Sequence, residues 1–553
     1  MLRTLLLATS AGVVTMAASP ALAKPKAARV AHRTSTLKTQ VQDLTALVKQ
    51  LSARDEALQS QVQTLQAQVN SPPVQTAAVP PPPSYGQSPQ PYGQTAQAGG
   101  GSPDVSLGGQ GGSATVASEA KPQPRVAIND NNHFSLQSAD GRYSIGLVGV
   151  VQFDAGGYFG FHPDSRYTGP QDLSSGVNAR RARIGVSGAA GDFSYTFIYD
   201  AGNSQDTTQR GIEALQLTYN GIKGFAADIG YSSTPFTLDQ ATSSNDLLFL
   251  ERSTPTNIAI NYNAGDFRSN AGFRFYSDRY WLGAYVTGPS SSSDSHTQTG
   301  ERLGAFERAA FQVLKGPDYS LHLGVAYDEL IRAPNSGDTT SSATSVGTPD
   351  TLSLSDQPEL RIDPTTLVNS GAIGTTANPV TGGSVFDVET AGTLRNFFYQ
   401  GEYFHYTVDR KGLDDASFDG GYAQVAWILT GENHKYNPLA GSYTRIVPAH
   451  PFSVKEGNFG AFELAARVSY IDEIANYTPN LSLASQTDAI NGGRQAGYTL
   501  GVNWYPNSVL RFMLDYNYID FDKSQTTTAT GAPLGSNIGS HFNAISLRSQ
   551  VVF

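Results

Sequence analysis

From about Tyr143 to Phe553 the chain is written in segments of eight to fifteen residues in which apolar and polar positions alternate. Gly, Asn, Asp and Ser separate the segments. A period of two puts every second side chain on the same face of a β-strand. Phe193, Tyr195, Phe197 and Tyr199 alternate with Ser194, Thr196 and Asp200, and Leu510, Phe512, Leu514, Tyr516 and Tyr518 alternate with Arg511, Asp515 and Asn517. One greasy face on strand after strand is the pattern of a transmembrane β-barrel, apolar toward lipid and polar toward a lumen.

The connections alternate as well. Tight turns are read near Ala190-Gly191, Ile222-Lys223, Ser277-Asp278, Gly316-Pro317, Lys411-Gly412 and Asn507. Longer ones run from Tyr158 to Gly176, Thr234 to Gly265, Arg332 to Thr390, Glu473 to Gly492 and Lys523 to Ser540. Short turns belong to the periplasmic side, so the long connections face outward. Fifteen strands are counted directly, whereas a bacterial barrel with both ends on one side needs an even number. The short-long alternation fails between Thr430 and Gly457, which predicts the missing strand near Ser442 to Val447 and about sixteen in total. The expected fold is an all-β, antiparallel up-and-down barrel, wide enough for an aqueous channel.

Ahead of the barrel the period changes. Leu37, Leu44, Leu51, Leu58 and Leu65 fall at heptad position d and Val41, Val48, Val62 and Val69 at a, with Asp55 the break in the seam. A 3.5-residue apolar repeat predicts a coiled-coil helix, roughly 50 Å long at 1.5 Å per residue. Valine at a with leucine at d leans toward two strands, but a buried Asp55 leaves the number open. Pro80 to Pro83 and Gly99 to Gly101 then mark a linker. Arg3, the apolar run Leu5 to Ala18 and the small-residue site Ala21-Leu22-Ala23 read as a secretory signal. The expected organisation is therefore a signal peptide at 1–23, a periplasmic coiled-coil stalk at 24–70, a Pro/Gly/Ser/Gln-rich linker at 71–130 and the barrel at 131–553.

Composition removes several alternatives. There is no cysteine, hence no disulfide, thiolate metal site or lipidated N-terminal cysteine. A net charge of -10 with no Lys/Arg run argues against nucleic acid as a partner. The chain has no HExxH, GxSxG or Walker loop, and His405, placed toward lipid, has no readable serine partner. No enzyme activity and no cofactor are expected. The last strand, Leu547 to Phe553, alternates up to a terminal aromatic on the lipid face. It is similar to the signal that barrel-assembly machinery reads, which makes Phe553 the candidate assembly residue.

Two stretches resemble the phosphate-selective porin O/P family of Gram-negative outer membranes. The first runs through Arg180 to Gly188 (RRARIGVSG), Asp192 to Tyr195 (DFSY), Thr242 to Asp246 (TSSND) and Phe249 to Arg252 (FLER). The second takes in Gly421 to Gln424 (GYAQ), Leu429 to Glu432 (LTGE), Gly460 to Arg467 (GAFELAAR) and Thr499 to Tyr505 (TLGVNWY). The resemblance implies a sixteen-stranded homotrimeric porin. It also implies that the loop after the fifth strand, with Asn245, Asp246, Glu251 and Arg252, folds inward to narrow the pore.

Strand phase supplies candidate pore residues. Arginine on the lipid face at mid-depth costs roughly 2–4 kcal/mol, so Arg181, Arg183, Arg268, Arg274, Arg467, Arg511 and Arg548 are assigned to the lumen, while the phase of Arg308 is less clear-cut. Guanidinium forks suit phosphate or carboxylate oxygens, and a ladder of them lets an anion step between shallow sites. The same phase turns Asp154, Asp200, Asp228, Asp328, Glu402, Glu463 and Asp515 inward, so the charges nearly balance and a general diffusion pore fits equally. Tyr158, Tyr231, Tyr280, Trp281, Trp504 and Tyr505 are read as interfacial aromatic girdles. The expected partners are outer-membrane lipid and lipopolysaccharide, with peptidoglycan a further candidate for the stalk. A rival reading makes the barrel mainly a tether between outer membrane and cell wall.

Overall fold

The computed structural model describes Lys49 and residues 124–128, 134–202, 211–262, 265–289, 302–334, 350–527 and 533–553. The expected signal peptide, the stalk apart from Lys49, and most of the linker lie outside them. Within them, the alternating segments form a closed antiparallel wall of sixteen strands. In chain order these are β1 (Tyr143–Phe159), β2 (Gly176–Ala190), β3 (Phe193–Asp200), β4 (Gly211–Tyr219), β5 (Phe225–Ser233), β6 (Phe267–Tyr276), β7 (Tyr280–Thr287) and β8 (Leu303–Lys315). They continue as β9 (Tyr319–Arg332), β10 (Val380–Leu394), β11 (Phe397–Arg410), β12 (Ala416–Ile428), β13 (Ala461–Ala475), β14 (Ile490–Tyr505), β15 (Leu510–Asp522) and β16 (Ser540–Val552). Pairing of β16 with β1, Val551 opposite Val151 and Arg548 opposite Asp154, closes the cylinder. A hairpin of Arg125–Ile128 and Phe134–Gln137 adds to the start of β1, where Ser135 faces Gly146.

Phe153, Phe197, Phe273, Leu323, Val388, Leu500 and Leu547 all stand exposed on the outer face. An apolar band of that extent is untenable in water at about 25 cal/mol per Å² and is what a lipid-facing wall requires. Phe553 continues the outward phase. Its backbone pairs with Gly149 (N–H to O 3.0 Å, and 2.7 Å in return), and its ring covers that glycine.

Sixteen strands agree with the sequence count, but the strand inferred from parity is not where it was expected. Ser442–Thr444 pairs with Lys435–Asn437 in a separate two-stranded hairpin, and β12 pairs directly with β13. The wall strand needed is β10, most of which falls inside the connection read as Arg332 to Thr390. Its lumen-side positions include Gly383, Asp387 and Glu389, and such small or charged residues look like loop. Its loss shifted the sidedness that follows. The turn after β10 is Arg395-Asn396, while Lys411 to Asp415 joins β11 and β12 at the end that carries the long loops.

The 429–460 connection thus starts from the short-turn, periplasmic end and turns back into the lumen. There the indole N–H of Trp281 donates to the Leu439 carbonyl at 3.0 Å, and Arg308 donates to the carbonyls of Ala440 (3.0 Å) and Gly441 (2.8 Å). Gly441 has φ +61°, and a Cβ there would lie 2.9 Å from the Trp281 Cβ. Gly441→Ala should therefore cost roughly 1–2 kcal/mol of backbone strain and loosen the hairpin. A red-shifted tryptophan emission is the expected sign; an unchanged spectrum and unfolding temperature would count against this docking.

Three of the six predicted girdle aromatics are also corrected. Trp281 and Tyr505 are buried inward, and the Tyr158 hydroxyl donates to the Leu360 carbonyl at 3.3 Å inside the barrel. Adjacent strand residues point to opposite faces, so Tyr280 and Trp504 take the outer positions beside them. The observed girdle at the short-turn end is built from ring pairs, Phe397 on Trp427 and Trp504 between Phe462 and Phe512.

Candidate channel constriction

The loop after β5 enters the barrel, as the resemblance implied. It carries two short helices, α1 (Leu238–Ala241) and α2 (Thr254–Tyr262), and nearly every residue from Phe236 to Tyr262 is buried. Thr237 caps α1 by accepting from the Gln240 N–H at 3.0 Å. The N–H groups of Leu238 (2.5 Å) and Asp239 (3.1 Å) donate to the Glu402 carboxylate of β11. That meets two of the donors a helix start leaves unsatisfied. Between the helices the loop runs through a turn at Ser244 to Asp246 and a series of bends, its backbone held by side chains from several strands. Arg467 donates to the Glu251 carbonyl at 2.8 Å, Arg548 to that of Leu250, Asn503 to that of Leu248 at 2.9 Å and Gln550 to that of Asn245 at 3.0 Å.

Glu251 is the loop's electrostatic anchor. Arg180 grips both of its oxygens at 2.7 and 2.8 Å, and Arg548 reaches it at 2.9 Å while also pairing with Asp154 at 2.7 Å. A second inward connection, between β9 and β10, packs against it: Arg361 lies 3.9 Å from Glu251 and 2.6 Å from Asp356, and Asn257 of α2 donates to Asp356 at 3.0 Å. Burial pushes the Asp356 carboxyl up to about 6, against the lowering pull of Arg361. Burial likewise raises Asp239, although Arg252 and Arg467 pull it down. Leu352, Leu354, Leu360 and Leu367 of this connection join Ile258 and Tyr262 in an apolar cluster whose wall members come from β7 to β16.

Every arginine assigned to the lumen by phase faces inward, and most are spoken for. Arg181 donates to Gln152 at 2.7 Å, Arg268 sits 3.5 Å from Asp328, Arg467 pairs with Glu359 at 2.7 Å, and Arg511 lies over the Tyr505 ring with its centre 4.9 Å away. Arg308, whose phase was less clear-cut, is also inward, on Glu389 at 2.9 Å. The seven acidic residues expected inside are buried there too.

The loops leave a cavity of about 600 Å³ against the β1–β7 side. Three arginines open onto it: Arg183, Arg252 and Arg274. Arg183 pairs with Asp200 at 2.9 Å and with Glu213, Arg252 with Asp266 at 3.1 Å, and Arg274 with Asp228. Asn245 and Asp246 of the constriction loop form one rim, and Asn437 to Thr444 of the periplasmic hairpin another. Arg445 joins the rims by its 2.8 Å ion pair with Asp246. The hairpin's part in the lumen is not legible in the sequence, where the same residues read as a wall strand.

A closed sixteen-stranded barrel with a lipid-compatible exterior, a polar lumen and an inward loop defines an outer-membrane channel protein. A family model described as phosphate-selective porin O and P matches residues 153–553, and the chain belongs to this family. It is an outer-membrane porin of a Gram-negative bacterium, a class of channel rather than enzyme. Porin O of Pseudomonas aeruginosa is 25% identical over 417 residues, which cover 72% of this chain and 88% of that protein. Among solved structures, the anion-selective porin from Comamonas acidovorans is 12% identical with a TM-score of 0.41, covering 74% of this chain and 100% of that one. OmpT of Vibrio cholerae is 13% identical with a TM-score of 0.43, covering 74% and 99%.

Proposed function

We propose that the chain forms a water-filled channel for passive diffusion of small hydrophilic solutes, anions such as phosphate among them, guided by lumenal arginines. The observation that carries this reading is the opening of Arg183, Arg252 and Arg274 onto one cavity. Glu213, Asp228, Asp246 and Asp266 line the same space, so an anion competes with fixed carboxylates for each guanidinium. That arrangement favours stepping over tight capture. Arg180, Arg308, Arg467, Arg511 and Arg548 act as clamps on the inward connections.

Planar-bilayer reversal potentials in a salt gradient test it. Wild type should show anion preference, and Arg183→Ala combined with Arg274→Ala should lower the anion-to-cation permeability ratio by about threefold. Arg181→Ala, away from the cavity, should leave the ratio unchanged. Cation preference in the wild type, or no response to the double change, would sink the proposal. The same reading has the protein assemble as a homotrimer among lipid and lipopolysaccharide after the assembly machinery reads Phe553, with the stalk contacting peptidoglycan. Deleting Lys24 to Val69 should then weaken envelope integrity and spare conductance.

A further inference from the structure

Three carboxylates meet on the lumen face of β10 and β11. Glu389 and Glu402 are directly opposed cross-strand partners, and Asp387 lies two residues from Glu389 on the same face. Like charges placed so oppose strand pairing, yet all three are buried and offer oxygens within 4.8 Å of one another. Two of them are already provided for. Glu389 receives Arg308 at 2.9 Å and His322 at 2.7 Å. Glu402 accepts the α1 N–H groups and the Tyr422 hydroxyl, the last at 2.6 Å.

Asp387 differs. Its side chain is fully buried, and among the described residues neither carboxylate oxygen has a hydrogen-bond partner. The Glu402 and Glu389 carboxylates repel it, and Arg308 attracts it. Leaving a buried charge unpaired costs several kcal/mol. Arg308 offsets one of the three negative charges, which leaves about two, the charge of one divalent cation. An all-oxygen donor set is that of a hard ion, and oxygens within 4.8 Å of one another can share an ion bound at about 2.3–2.6 Å.

We infer that Asp387, Glu389 and Glu402 form a binding site for a divalent cation, calcium by preference, with Asp387 as its dedicated ligand. Because Glu402 also holds the first turn of α1, an ion there ties the wall to the root of the constriction loop. The site stands on different residues from the proposed anion path and does not depend on it.

The full chain, refolded in detergent free of lipopolysaccharide and stripped with EDTA, should take up one equivalent of calcium in a titration with calcium chloride. Its unfolding temperature should rise by several degrees, and Asp387→Asn should abolish both responses. Crystals of the wild type grown with manganese should show an anomalous peak among the three carboxylates, a readout independent of how the variant folds. No saturable uptake by the wild type, uptake retained by a folded Asp387→Asn protein, or manganese bound only elsewhere would overturn the site and assign the cluster to a proton shared between Asp387 and Glu402.

Discussion

Glu251→Ala should give a wider and less stable channel. Arg180, fully buried, has both its contacts to Glu251 removed, and Arg548 loses one of its two carboxylates. Breaking a buried pair by deleting one partner costs about 3–5 kcal/mol, because the surviving charge stays desolvated. The carbonyl contacts from Arg467, Asn503 and Gln550 remain, so the barrel should still close while the stretch of loop between the helices samples positions off the wall. Single-channel conductance should rise by about twofold with more open-state noise, and the unfolding temperature should drop. Wild-type conductance together with wild-type stability would show that the loop is not held by this anchor.

Excising the periplasmic hairpin should enlarge the conductance from the opposite side. Replacing His434 to Thr444 with a short Gly-Asn-Gly turn removes a rim of the cavity and the Leu439, Ala440 and Gly441 carbonyls that Trp281 and Arg308 hold. Arg308 keeps its pair with Glu389, while buried Glu463 loses His434 at 2.6 Å and keeps the Asn503 amide and Tyr505 hydroxyl as donors at 3.0 and 2.9 Å. The wall is untouched, since β12 and β13 pair without the hairpin. An increase of about twofold in single-channel current is expected. A current equal to wild type would mean that solutes do not pass this rim.

Much of the wall was readable because strand phase is a local property. Arg181, Arg183, Arg268, Arg274, Arg467, Arg511 and Arg548 lie on the predicted face for the reason given in advance, the cost of a guanidinium in lipid. What they touch was not readable. The partner of Arg180 is 71 residues away and that of Arg467 is 108 away, and periodicity carries no information on where a loop comes to rest. Ser442–Thr444 was recognised as a strand and is one, but a short hairpin inside the lumen and a wall strand share the same alternation. In β10 the difficulty was reversed. A run of Gly382, Gly383 and Ser384 hid a wall strand that only its partners on β9 and β11 make evident.

The uneven filling of the barrel divides its sequence into two regimes of substitution. Along β7 to β16 an inward methyl group belongs to a packed interior, so shortening Phe404, Tyr406 or Phe418 should be felt as lost folding stability. Along β2 to β6 the inward positions include Ser194, Thr196, Gln216 and Asn270, which border solvent space. Exchanges there should alter the current while sparing the fold, making this half of the barrel the place where permeability can diverge between relatives at little cost in stability.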